Sequence, residues 1–129
     1  MTLVAPQIRL RRPRLATLLT GAGVALVPWM AVLAQTLPRT VEVSNWPAAW
    51  IGLDAGLALG LAGTGVLLRR GDPRVSPVAA ATGALLLMDA WFDVTTSAGP
   101  ERVMAVALAV CAELPLAVAC GVVAARRVL

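Results

Sequence analysis

Four stretches of the chain, residues 15–37, 48–68, 75–95 and 101–125, are almost entirely apolar, and each exceeds twenty residues. A helix rises about 1.5 Å per residue, so each is long enough to cross a hydrocarbon layer roughly 30 Å thick. Nothing else constrains the fold as strongly. A segment surrounded by lipid must satisfy its backbone N–H and C=O groups internally, which for runs of this length means α-helix. The expectation is an all-α protein, one integral membrane domain over residues 1–129, built as a four-transmembrane-helix bundle. Pro28 interrupts the first run and deprives the Val24 carbonyl of its partner, so a mild kink is expected there. A basic start followed by an apolar stretch also suggests a signal peptide. The stretch is longer than the about 7–15 residues of a cleaved apolar region, and an uncleaved first span is expected.

The charges agree with a membrane setting. Only 14% of residues are charged, against about 25% in soluble domains, and the mean hydropathy is +0.81. All eleven basic residues are arginine, and nine cluster at Arg9, Arg11, Arg12 and Arg14, at Arg69, Arg70 and Arg74, and at Arg126 and Arg127. Each cluster borders an apolar run. A net charge of +4 distributed in this way reads as the positive-inside pattern rather than as a nucleic-acid surface, and no nucleic-acid partner is expected. Arg39 and Arg102 alone fall on the opposite side, so both termini are expected in the cytoplasm, with two outer loops. The absence of lysine and the wealth of Ala, Gly and Val suggest a GC-rich genome and a bacterial inner membrane.

Against this background four acids stand inside the spans: Asp54, Asp89, Asp93 and Glu113. Asp89 and Asp93, four residues apart, share one helix face. Counting the helical rise from the outer end of each run puts Asp93 at about 3 Å and Asp54 and Asp89 at about 9 Å, with Glu113 close to the middle of its run. A carboxyl in hydrocarbon costs several kcal/mol unless paired, wetted or protonated. The third helix is therefore expected to face the second and fourth through these groups. No basic residue shares their depth; Arg102, at the start of the fourth run, is placed to reach down toward Asp93. Some of the four acids are expected to carry a proton and donate it in a hydrogen bond. Protonated acids joining helices explain the group without any activity; convergence on one depth range points instead to an outward-opening polar cavity or ion site. Trp50 and Trp91, each within a turn of an acid, suit an aromatic lining for a cation, and equally an interfacial belt.

In the second run Gly52, Gly56, Gly60 and Thr64 recur at every fourth position, a ridge that admits close helix packing. Asp54 lies about 160° away from Gly56 around the same helix, so two sides of it call for protein contact. Cys111 and Cys120 sit on one helix, too far round it to pair, and read as small apolar filler. With no His, Lys or Tyr and no Cys pair at ligand spacing, neither a metal nor a cofactor is expected.

Three strings, Trp50-Ile51-Gly52-Leu53-Asp54, Asp89-Ala90-Trp91-Phe92-Asp93-Val94 and Glu113-Leu114-Pro115-Leu116-Ala117, resemble a group of small four-pass membrane proteins of high-GC bacteria. The resemblance covers roughly residues 46–127. It implies a four-helix membrane architecture and brings no activity with it.

Three classes of function stay open. The first is a small transporter of protons or a cationic solute that uses the acids as its site. The second is a non-catalytic subunit that associates through its glycines and acids with itself or a larger membrane partner. An intramembrane enzyme comes third, because no nucleophile stands beside a base. A through-path would need polar residues in the inner half as well, where only Thr17, Thr20, Thr64 and Thr82 appear.

Overall fold

A computed structural model describes the backbone of residues 12–128 and the side chains of residues 14–126. The basic head with Arg9 and Arg11, and the side chains of Arg12 and Arg127, lie outside the described residues. The chain is all-helical, with no strand among the described residues. It has four helical passes long and apolar enough to cross a membrane, Arg14–Thr36, Trp46–Arg70, Val75–Thr96 and Pro100–Arg126. Contacts divide the chain into two units that meet between Val43 and Ser44.

The first unit holds α1 (Arg12–Thr36), which runs through Pro28 without ending. Its described side chains are exposed, apart from half-buried Leu33. Thr36 closes the helix by donating from Oγ1 to the Val32 carbonyl at 2.7 Å.

The second unit holds α2 (Trp46–Arg70), α3 (Val75–Thr96), α4 (Pro100–Leu108), a π-helical turn (Ala109–Glu113) and α5 (Leu114–Val128). The last three form one continuous pass. The central helix is α3, which packs against α2 on one side and against α4, the π turn and α5 on the other. Its buried residues, Val75, Ala79, Thr82, Gly83, Leu86, Asp89 and Ala90, recur at helical spacing. Ala79 and Leu86 join Leu57 of α2 and Ala117 and Cys120 of α5 in the core.

Small residues set the distances between these helices. A Cβ on Gly83 would lie 3.3 Å from Cys120 Cβ and 3.4 Å from the Ala117 carbonyl oxygen. On the α2 side, a Cβ on Gly60 would lie 3.2 Å from Cβ and Cγ2 of Thr82 and closer still to its Oγ1. A hydrogen bond crosses between helices: Ser76 Oγ donates to the Ala124 carbonyl at 3.0 Å, tying the start of α3 to the end of α5.

The turn from α2 to α3 is built from Gly71, Asp72 and Pro73. Gly71 takes a left-handed conformation (φ 66°) that suits a residue without Cβ, and Asp72 N–H reaches back to the Leu67 carbonyl at 3.0 Å. Arg74 then folds over Asp72, its Nη2 donating to Oδ2 at 2.7 Å. These bonds, with the Arg74 backbone N–H and its charge, pull the Asp72 carboxyl from 3.8 to about 2. A lowered carboxyl stabilises the fold above its unfolded value and loses that contribution as pH falls through the folded one. Thermal unfolding in detergent should therefore show a loss between 3.8 and about 2 that Asp72→Asn removes. An unchanged acid limb in that variant would contradict this assignment.

Candidate functional site

The four acids that the sequence places inside the apolar runs all belong to the second unit, and α3 brings them toward one another. Asp89 is buried on α3 at 8% exposure. Its carboxyl lies close enough to that of Glu113, the last residue of the π turn, for the two to interact. Asp54 and Asp93 lie within electrostatic range of both. Their surroundings differ: Asp93 is half-buried near the end of α3, and Asp54 is exposed on α2.

A hydrogen bond between Asp89 and Glu113 would require a proton on one of them. Two ionised carboxylates are acceptors only, so the pair forms a hydrogen bond only when one of them is protonated. Counted without that proton, Oε2 of Glu113 is enclosed and has no hydrogen-bond partner. A proton shared between the two groups, or a bound cation, is the chemistry that satisfies such a pair.

No arginine among the described residues neutralises the cluster. The sequence suggests that Arg102 reaches down to Asp93, but the structure directs it elsewhere: its Nε donates to the Ser97 carbonyl at 3.1 Å. That bond and the Arg102 N–H to the Gly99 carbonyl, 3.1 Å, shape the loop between α3 and α4. The ion pair among the described residues is Arg74 with Asp72, in the turn at the other end of α3.

The aromatic lining is divided. Trp50 is half-buried but packs edge-on against Trp46, with ring centroids 5.5 Å apart. Trp91 follows Asp89 by two residues, about 200° round the helix, and is 64% exposed. The structure therefore does not bring Trp91 to the carboxyls.

The glycine ridge is divided as well. Gly60 meets α3 at Thr82, whereas Gly52 and Gly56 have open space where a Cβ would stand. The reason is geometric, because residues four apart advance by about 40° around a helix. From Gly52 to Thr64 the row turns through about 120°, and a single neighbour covers only part of it.

Sequence reasoning passed over Ser76 and Gly83, which hold α3 in place, and the π turn beside Glu113. Small residues every fourth position at Ala79 and Gly83 were an available signal for the first group. Pro115, which lacks an N–H, was the signal for the second. No protein-family model, curated protein or solved structure matches this chain, so its function rests on the residues themselves.

Proposed function

We propose that this integral membrane protein is a small transporter of protons or a cationic solute, with Asp89 and Glu113 as its binding pair. The observation that carries the reading is a buried Asp89 held against Glu113, with Asp54 and Asp93 nearby and no described arginine paired to any of them. Buried carboxyls without a counter-cation take up either protons or a cation. In this reading Asp54, exposed on α2, is the first group a cation meets, and the buried pair is the second. Toward the other end of α3 the described polar groups of the α2–α3 interface are Thr64 and Thr82. Both donate to their own helix, to Gly60 at 2.7 Å and to Val78 at 2.8 Å, so they offer a solute little. Passage through one copy would therefore require movement of the fourth pass, for which the π turn is the irregular point.

The arginine distribution supports a bacterial inner membrane with both termini in the cytoplasm. Single cysteines introduced at Gly71 and Ala98, in a background without Cys111 and Cys120, should label from the cytoplasmic and the outer side respectively. Outward labelling at position 71 would reverse the topology.

The test of function is reconstitution of the wild-type protein into proteoliposomes, with flux measured for protons, alkali cations and small organic cations. The result expected is flux of one of these that depends on pH. No flux for any would favour the second reading, a non-catalytic subunit that assembles with a copy of itself or a larger membrane partner. That reading draws on the open space at Gly52 and Gly56 and on the exposure of Asp54.

A further inference from the structure

The end of the second unit opposite the acids gathers positive charge from three helices. Arg69 and Arg70 close α2, Arg74 opens α3, and Arg126 lies in the last turn of α5. The Ser76–Ala124 hydrogen bond brings the ends of α3 and α5 together, and the short turn at Gly71–Pro73 joins the end of α2 to α3. Arg74 stands two residues before Ser76 and Arg126 two residues after Ala124. The fourth pass runs antiparallel to α3, so both steps lead outward in the same direction, beyond the same end of the helices. Arg70 is also close enough to Asp72 to add its charge to that of Arg74 there. Asp72 is the acid in this region, and Arg74 already engages it. Arg69, Arg70 and Arg126 are exposed and belong to no described ion pair.

We propose that this three-helix arginine end binds the phosphate headgroup of an anionic glycerophospholipid. The argument is charge complementarity at a fixed depth. Leu67 and Leu68 lead directly into Arg69 and Arg70, and Val122 and Val123 come shortly before Arg126, so apolar side chains for the acyl chains end where guanidinium groups for the phosphate begin. Guanidinium forks match phosphate oxygens two at a time, and a long stem lets the head reach the interface while its methylenes stay in the apolar layer. A headgroup here would bridge α2 and α5 across the start of α3, helices that otherwise meet chiefly through α3. The inference requires only that the protein spans a membrane and does not depend on what it transports.

The test compares mixed micelles of phosphatidylglycerol in phosphatidylcholine with phosphatidylcholine alone, reading melting temperature and retained lipid by native mass spectrometry. Wild-type protein should melt higher with phosphatidylglycerol and retain it. Each arginine near an anionic surface is worth about fivefold in binding, so Arg69→Gln/Arg70→Gln/Arg126→Gln should weaken retention about a hundredfold. Replacing the same three by lysine should keep most of it. Should the triple glutamine variant not fold, Arg126→Gln alone leaves the Ala124 contact intact and should lose about fivefold. Arg39→Gln, in the first unit, should lose nothing. Equal retention of both lipids, or full retention in the triple glutamine variant, would overturn the proposal. So would equal loss in Arg39→Gln, which would point to net charge alone. Stabilisation by millimolar inorganic phosphate in place of lipid would also overturn it, by showing a site for a soluble anion.

Discussion

Gly60→Leu should break the second unit, while Gly56→Leu, one turn away, should leave it folded. A Cβ at position 60 would stand 3.2 Å from Cβ and Cγ2 of Thr82. Thr82 has little room to yield, being 1% exposed with its Oγ1 bonded to the Val78 carbonyl at 2.8 Å. Two effects compete. Replacing a helical glycine by a better helix former gains up to about 1 kcal/mol. Overfilling a packed contact costs about 1–3 kcal/mol for added methylenes, and leucine adds a whole side chain against the neighbouring helix. At position 60 the second effect wins, and unfolding in detergent should occur at a markedly lower temperature. At position 56 a Cβ meets nothing within 4 Å, so the gain is unopposed within the second unit. Thr82→Ala should rescue much of the loss in a Gly60→Ala background, because it removes two of the three crowding atoms, Oγ1 and Cγ2. Equal destabilisation at positions 56 and 60 would contradict this account. A fall in detergent-solubilised mass for Gly56→Leu, with unfolding unchanged, would show instead that a second copy occupies the open face of α2.

Glu113→Gln should abolish pH-dependent flux and leave the fold nearly unchanged. Glutamine has the shape of a protonated glutamate and still donates toward Asp89, so the contact between α3 and the π turn persists. The net stability change should stay within about 1 kcal/mol, the net worth of an ordinary hydrogen bond. What the amide lacks is the ability to release a proton or to hold a cation by charge. Asp89→Asn should behave alike, whereas Asp89→Leu should also lower stability, because it leaves the Glu113 carboxyl enclosed without a partner. The comparison between amide and leucine variants separates a chemical role from a structural one. Flux that survives Glu113→Gln would transfer the site to Asp54 and Asp89. Intact flux in all the variants would remove the carboxyls from the mechanism.

The four passes were legible because length and hydropathy are what the bilayer demands. The expected run 75–95 is Val75–Thr96, and 48–68 extends to Trp46–Arg70 by the interfacial residues at its ends. Partnership among the helices was harder to read. In a soluble protein the buried face of a helix is apolar and the other polar, so period reveals orientation. Here lipid-facing and protein-facing sides are both apolar, and that contrast disappears. The acids supplied part of it, since Asp89 lies on the same stripe as Leu86 and Thr82. The glycines misled, because a row at every fourth position looks continuous in sequence and winds away from its neighbour in space. Trp91 misled likewise: nearness to Asp89 along the chain placed it on the far side of α3.

The π turn settles a matter of angular register along the fourth pass. The small or buried positions there, Ala105, Ala109, Glu113 and Ala117, come at every fourth residue. In an uninterrupted α-helix, twelve residues from Ala105 to Ala117 would accumulate a rotation of about 120°. Ala105 could then face α3 only if Ala117 and Ala124 turned away. A π turn accommodates about one extra residue, which returns the later part of the helix by about 100°. That correction nearly cancels the drift, so Ala105, Ala109, Ala117 and Cys120 are all buried in one pass. The correction is completed at Glu113, where the amide of Leu114 bonds the Ala109 carbonyl, just before the proline that has no amide to give. The irregular turn thus acts as a phase shifter between two halves of a helix. A chain one residue shorter between Ala109 and Glu113 could form an uninterrupted α-helix with both halves still facing α3, whereas the pass at its present length, as a plain α-helix, could align only one of them.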